Sequence, residues 1–517
     1  MNRTKKALRN VATGLLNKLV LFFMAFATRT VFIRLLGAEY TGINSLYTNI
    51  LSVLSVAELG LGNVMMFYLY GALREKDEAR INYIVFYFRR IYLVIIAVVL
   101  GFGCLLIPFL GLIVKTDAFS YYEIASFYLF YLVNAVASYF VIFRTMTLQA
   151  DQKNYICNLC TTISSVAMYL IQMVYLLIWR DFYGFLAIQV LSTVINNCVQ
   201  NQIAKRHYPY LKQRIHDGRS YLSGKEVFRD IKATFLFKVA DTVLDQTDNI
   251  IISIMFGTVF VGYYTNYYMI VFYLVSIVSI LVNGLIAGFG SLNAEKNMER
   301  SHEMFRCSMF MFSFIGCLCA TVYLCVIQDF VTVWIGSEFL MPYDLVLAVL
   351  AVFFLRMCTN TVWIYRSTMG LFQSVQYINI IAAALNIVLS VLLGMVWGIA
   401  GVIAATAISR LLTSFWYEAK VVYHKFHKNV REYFGLQLKS FLLFIGAAGI
   451  SFAACLMIQM NPWVNIILKS GICCVTVILS QWLFYRHTVE YAVLKSHLTG
   501  NGRIGKKIAR VFKKKKK

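Results

Sequence analysis

Charge is scarce in this chain, and acid is scarcer than base. Asp, Glu, Lys and Arg make up 14% of the 517 residues, while apolar residues make up 60%. A soluble domain carries roughly a quarter charged residues. The composition therefore excludes an ordinary soluble enzyme, a disordered protein and a collagen-like fibre. Proline is nearly missing: four occur, with Pro108 at the end of an apolar run, Pro209 in the central polar stretch, and Pro342 and Pro462 in short spacers. The apolar runs are thus almost free of helix breakers.

Catalytic and metal-binding patterns are also lacking. His302-Glu303 has no second histidine to complete a zinc motif. Gly500-Asn501-Gly502-Arg503-Ile504-Gly505-Lys506-Lys507 has phosphate-loop spacing, but no strand precedes it and Lys507 replaces the magnesium-binding hydroxyl. The 12 cysteines, Cys157-x-x-Cys160 included, all fall in apolar runs. They read as reduced packing residues rather than disulfides or zinc ligands. Neither a nucleophile–base pair nor an ATP-binding domain is recognisable. No enzyme, cofactor or metal site is expected, and any work must draw on a gradient or run downhill.

What is present is a series of apolar runs of about 20 residues, the length that carries a helix across about 30 Å of hydrocarbon. Fourteen spans are expected, near 12–36, 41–70, 83–110, 122–148, 156–178, 185–203, 235–256, 260–289, 307–334, 343–368, 375–396, 401–423, 441–459 and 464–485. The fold class is an all-α polytopic membrane protein. Bends, where needed, would come from glycines such as Gly60 and Gly62 in the second span.

The formal charge of +24 is mainly a topology signal. With the N-terminus placed inside, 34 of the 48 Lys and Arg fall in inside segments, and only Lys115 and Arg180 lie in outside spacers. Both termini are then cytoplasmic. The same distribution argues against a nucleic-acid binder, which needs a basic polar surface. Ala25-Phe26-Ala27 resembles a signal-peptide cleavage site, but the apolar run continues to Leu36 and further spans follow. In the tail, Ile504, Ile508, Val511 and Phe512 recur among basic residues. That spacing fits an amphipathic helix on anionic lipid.

An internal repeat appears at an offset of 220 residues. Gly37-Ala38-Glu39-Tyr40-Thr41-Gly42 leads to Tyr47, and Gly257-Thr258-Val259-Phe260-Val261-Gly262 leads to Tyr267. Arg144 and Arg366 correspond at an offset of 222. The chain is accordingly read as two pseudo-symmetric six-helix halves around a central cavity, 1–204 and 235–424. A basic linker, 205–234, joins them. Two extra helices lie in 425–485, and a basic tail follows from 486 to 517. Parallel repeats are a common transporter plan. The paired tyrosines Tyr263-Tyr264 and Tyr267-Tyr268 read as interface-belt residues.

Charges left inside spans are costly and mark candidate sites. Lys18 and Arg29 lie eleven residues apart, three helical turns, and so share a face. Arg34 points elsewhere, near the outer end. Glu58 is the one carboxylate of the second span. Lys238, Asp241, Asp245 and Asp248 form a stripe along the seventh span. Two readings fit that stripe: an intramembrane ion-pair network, or a wet cavity wall that binds a coupling cation. Arg356 and Arg410 lie near mid-span, too deep to reach headgroups easily.

Arg34-Leu35-Leu36-Gly37-Ala38-Glu39-Tyr40-Thr41-Gly42, Glu58-Leu59-Gly60-Leu61-Gly62-Asn63 and Gln246-Thr247-Asp248-Asn249-Ile250-Ile251-Ile252-Ser253 resemble Wzx-type polysaccharide flippases of the multidrug/oligosaccharidyl-lipid/polysaccharide exporter superfamily. The resemblance implies alternating-access transport of an undecaprenyl-diphosphate-linked oligosaccharide repeat unit across the bacterial cytoplasmic membrane. The product would serve capsule, exopolysaccharide or O-antigen-type synthesis. It also implies a cavity lined by the first two spans of each half, hence Lys18, Arg29 and Lys238 toward substrate, and Glu58, Asp241, Asp245 and Asp248 toward coupling by a proton or Na+; Arg356 and Arg410 join the substrate candidates by their depth alone. A monomer, working beside a polysaccharide polymerase and glycosyltransferases, is implied. A cation-coupled multidrug antiporter and a lipid-linked peptidoglycan precursor flippase are the alternatives. Against the latter, the span 260–289 carries no charge, where the resembling precursor flippases place a basic residue.

The orientation is directly testable. Reporter fusions after residues 233 and 485 should fluoresce with a cytoplasmic reporter and give no phosphatase activity. A phosphatase fused at Asp117 should be active, and the opposite pattern would invert the topology.

Overall fold

The computed structural model describes residues 3–55, 60–213, 220–294, 298–488 and 490–492. The expected tail helix and Glu58 lie outside the described residues. The chain divides into two compact units, Met1–Asn266 and Tyr267–Lys517, with the division falling inside one helix. The first unit contains α1 (Arg3–Leu54), α2 (Leu61–Glu75), α3 (Glu78–Leu106), α4 (Leu110–Ile113), α5 (Tyr121–Tyr139), α6 (Ile142–Ala150), α7 (Asn154–Trp179), α8 (Phe182–His207), α9 (Gly224–Phe256) and the start of α10 (Thr258–Ala294). The second holds the rest of α10, then α11 (Met298–Trp334), α12 (Tyr343–Thr368), α13 (Phe372–Leu412), α14 (Ser414–Lys425), α15 (Arg431–Leu456) and α16 (Pro462–Tyr485). No strand occurs among the described residues.

Local sequence explains the helix starts. Asp77 caps α3 by accepting from the Arg80 amide at 2.9 Å. Ser120 and Glu123 form a reciprocal capping box at α5. Asp181 accepts from the Gly184 amide at 2.7 Å to start α8. Asn461 precedes Pro462 at the first position of α16, where a missing N–H costs nothing.

Ten described helical segments are long and apolar enough to cross a membrane, or eleven if α5 and α6, bent by 46°, count as one crossing. The chain is a multi-pass membrane protein. The count is lower than the fourteen expected from sequence, and two segments account for part of the difference. Asn17–Leu54 has 38 residues and Tyr377–Lys425 has 49. At 1.5 Å per residue they would extend about 57 and 74 Å, roughly twice a hydrocarbon core. Each contains a glycine off helical geometry, Gly37 at φ 87° and Gly398 at φ 62°. The charged helix α9 is not among the ten. Gly60, one of the second-span glycines, is the N-cap of α2 at φ 102°.

Outward-facing apolar side chains such as Phe102, Leu105, Ile445 and Ile450 are exposed, as lipid contact requires. The motif tyrosines behave differently. Tyr264 and Tyr267 are buried, not belt residues. Tyr267 donates to Gln328 Oε1 at 2.8 Å and accepts from the Met341 amide at 2.9 Å. Its repeat partner Tyr47 donates to the Ile124 carbonyl at 2.9 Å, with its ring against Tyr128 and Tyr131. A buried phenol finds an acceptor even where the sequence shows only an amphipathic ring.

The repeat glycines meet. A Cβ on Gly42 would lie 2.0 Å from the Thr258 carbonyl oxygen, and a Cβ on Gly262 would lie 2.4 Å from the Ala38 carbonyl oxygen. Since 38 and 258, like 42 and 262, are equivalent at the 220-residue offset, the contact is reciprocal, as expected across a local two-fold. Gly37 and Gly257 likewise share positive φ, 87° and 107°.

Gly42→Ala should therefore lower the stability of detergent-purified protein by about 1–3 kcal/mol, the usual cost of overpacking. Gly446→Ala, with nothing within 4 Å of its Cβ, should be near neutral in the same thermal unfolding assay. Equal melting of the two variants would remove the close-contact assignment.

Candidate intramembrane polar site

Arg29 is the best-defined of the sequence-derived candidates. It is half-buried on α1. Its Nε donates to Asn266 Oδ1 at 3.1 Å and its Nη2 to Thr265 Oγ1 at 3.0 Å, both on α10. Ser45 Oγ donates to the same Thr265 oxygen at 3.1 Å. Ser45 and Thr265 are themselves equivalent at the 220-residue offset, so this hydrogen bond extends the Gly42–Gly262 contact. Thr265 in turn bonds the Gly262 carbonyl at 3.2 Å, and Tyr131 donates to Asn44 one residue before Ser45. An arginine at a span centre costs about 2.5–3.5 kcal/mol on insertion scales. Hydrogen bonds to a charged group return about 1.5–3 kcal/mol each. Two such bonds hold the guanidinium fork across α1 and α10.

The other candidates lie on several helices. Lys18 is exposed on α1 and Arg34 is exposed near the Gly37 kink. On α9, Asp245 is half-buried and Asp248 is buried, and α9 packs against α1. Lys238 and Asp241 belong to α9 by backbone, and their side chains lie outside the described residues. Arg356 on α12 and Arg410 near the end of α13 are both half-buried and belong to the second unit.

Several functional-looking polar contacts have no distinct sequence signal. Thr265 and Asn266 are neutral residues in an uncharged span, and only the equivalence of Thr265 to Ser45 points to them. In the second unit, Asp329 on α11 accepts from Lys469 Nζ at 2.6 Å and from Asn465 Nδ2 at 3.0 Å on α16. Arg366 on α12 pairs with Glu418 on α14, both buried. Breaking such a pair from one side costs about 3–5 kcal/mol because the other charge stays buried. Arg144, the repeat partner of Arg366, instead donates to Asn201 Oδ1 at 2.8 Å and lies over the Phe143 ring. These arginines are structural ties between helices.

Polar clusters also close segments outside the spans. Tyr208, after α8, donates to Asp151 Oδ2 at 2.9 Å, and Lys153 pairs with the same oxygen at 2.7 Å. Burial, and then this bond, push the Tyr208 hydroxyl well above its ordinary pKa. Arg306 bridges Glu432 and Glu490, tying the end of the described chain to α11 and α15.

No family model matches the chain, and no curated protein matches it in sequence. Solved structures do match it. The lipid II flippase MurJ, in an inward closed conformation, superposes with a TM-score of 0.67 at 14% identity, over 92% of this chain and 98% of that one. An inward-facing multidrug resistance MATE transporter of the MOP superfamily gives a TM-score of 0.58 at 13% identity, over 78% of this chain and 94% of that one. A mutant of the Vibrio cholerae MATE transporter VcmN gives 0.54 at 14% identity, over 83% and 98%. These neighbours are transporters and flippases, not enzymes. At such identities the likeness is one of backbone architecture, and the chain has the fold shared by MurJ and the MATE transporters.

Proposed function

We propose that the protein is a flippase for an undecaprenyl-diphosphate-linked oligosaccharide, cycling by alternating access across a bacterial cytoplasmic membrane with both termini inside. The reading includes fourteen crossings in two six-helix halves plus α15 and α16. It is supported by the repeat contact, by the kinks at Gly37 and Gly398, and by the fold. The observation that carries the function is Arg29: a guanidinium inside an apolar helix that donates to Asn266 and Thr265 on α10. A diphosphate in a low-dielectric site suits such a fork, which can exchange neutral acceptors for charged ones.

In this scheme the α1–α10 contact is a gate. Gly42 and Gly262 let the backbones close, while Ser45–Thr265 and Arg29–Thr265–Asn266 latch them. Parting the helices releases Arg29 to the diphosphate. Asp245 and Asp248 on the adjoining α9 are the groups we assign to coupling with a proton or Na+, and anionic lipid is the expected surroundings of the basic inner segments.

A second reading, a lipid-linked peptidoglycan precursor flippase, is favoured by the extent of the MurJ superposition, which takes in more of this chain than the MATE superpositions do. A cation-coupled drug antiporter shares the fold as well, but the intramembrane arginines would repel a cationic drug.

Reconstituted protein should flip a fluorescent undecaprenyl-diphosphate oligosaccharide. Arg29→Ala should slow flipping at least about tenfold, the loss expected for one charge-assisted hydrogen bond, while Arg34→Ala should stay near the wild-type rate. Selective flipping of the peptide-bearing precursor would transfer the assignment to the second reading. Transport of an organic cation lost in Asp245→Asn, with no lipid flipping, would replace both.

A further inference from the structure

Cys325 on α11, Cys455 on α15 and Cys473 on α16 bring three sulfurs to one point. The Sγ atoms all lie within 4.8 Å of one another, and all three residues are buried. Nothing in their sequence spacing announces this, since they are 130 and 18 residues apart. The register of antiparallel helices makes it. Asp329 pairs with Lys469 at 2.6 Å. One turn along, four residues back on α11 and four forward on α16, that register places Cys325 beside Cys473. The Cys473 thiol donates to the Thr321 carbonyl at 3.8 Å, one further turn along α11. Ser451 and Thr476 bond each other and fix α15 against α16. The surroundings are apolar, with Val322, Phe330, Phe452, Ile466 and Ile472 packed around the cluster.

We propose that Cys325, Cys455 and Cys473 form a binding site for one Cu(I) ion. The geometry is close to what a three-sulfur site needs: ligands about 2.3 Å from a common centre sit about 4 Å apart, within the 4.8 Å that bounds the three Sγ atoms. Soft thiolates select soft metals. Structural zinc takes four ligands, and this cluster supplies three in a dry surround, where a singly charged ion also carries a smaller desolvation penalty than a divalent one. A second feature points to the same metal. The short segment after Cys455 carries Met457 and Met460, 88% and 61% exposed. Thioethers are soft ligands for Cu(I), and two exposed methionines beside a buried thiol cluster form an entry point. Binding converts thiols to thiolates and releases their protons to water through that entry. Cu(I) with two thiolates and one neutral thiol leaves a net charge of −1, with Lys469 one turn away.

The experiment uses the full chain, purified in detergent under anaerobic, reducing conditions and titrated with Cu(I) against a chromophoric Cu(I) chelator. One equivalent should be retained, and X-ray absorption should show a sulfur-only shell near 2.3 Å. Cys473→Ser should weaken retention at least tenfold, whereas Cys358→Ser, a buried cysteine outside the cluster, should not. Met457→Leu with Met460→Leu should slow loading while leaving the retained equivalent unchanged. Retention well below one equivalent, a shell containing nitrogen or oxygen, or equal losses in Cys473→Ser and Cys358→Ser would each overturn the site. So would Cu(I) loading at the wild-type rate in the double methionine variant, for the entry point alone.

Discussion

Between Gly42 and Gly262 the backbones of α1 and α10 approach so closely that neither position has room for a methyl group. Helices in lipid gain little from apolar attraction, because the surrounding tails are as apolar as the side chains. Small residues that admit close backbone contact, together with polar side chains beside them, are what remain. Here both occur in one line. The glycine pair brings Ser45 to Thr265, and Thr265 brings Arg29 across from α1. The arginine is half-buried and hydrogen-bonded because the glycines let the helices close.

The intramembrane charges sort by partner. Arg366–Glu418 and Asp329–Lys469 are salt bridges between helices and serve as ties whose loss would strand a charge. Arg29 reaches from α1 to an amide and a hydroxyl on α10. Helix α9 adds Asp245 and Asp248 alongside α1, so the first unit contains both signs of charge on packed helices.

Legibility varied with the range of the interaction. The apolar runs, their helical character and the basic segments between them follow from local composition, and the described helices agree in being long and apolar. The 220-residue repeat could be read from a few glycines and tyrosines, yet its meaning, reciprocal contact, could not. Arg29 was identifiable because a charge in an apolar run is conspicuous. Thr265, Asn266 and Ser45 were not, since neutral polar residues in spans are common. The cysteines were read as packing residues because sequence spacing is the only guide to metal ligands before helices are aligned.

The sequence alone determined that this chain lives in a bilayer as a bundle of helices, because apolar length and the placement of positive charge act residue by residue. It also marked Gly60 as a place where the chain could bend, whereas the kinks at Gly37 and Gly398 emerged only with the structure. Only the tertiary structure decided which helices the buried charges tie together, and which three of the twelve cysteines meet among the described residues. Those outcomes depend on helix register and face, and a shift of one residue turns a side chain by about 100° around the helix axis.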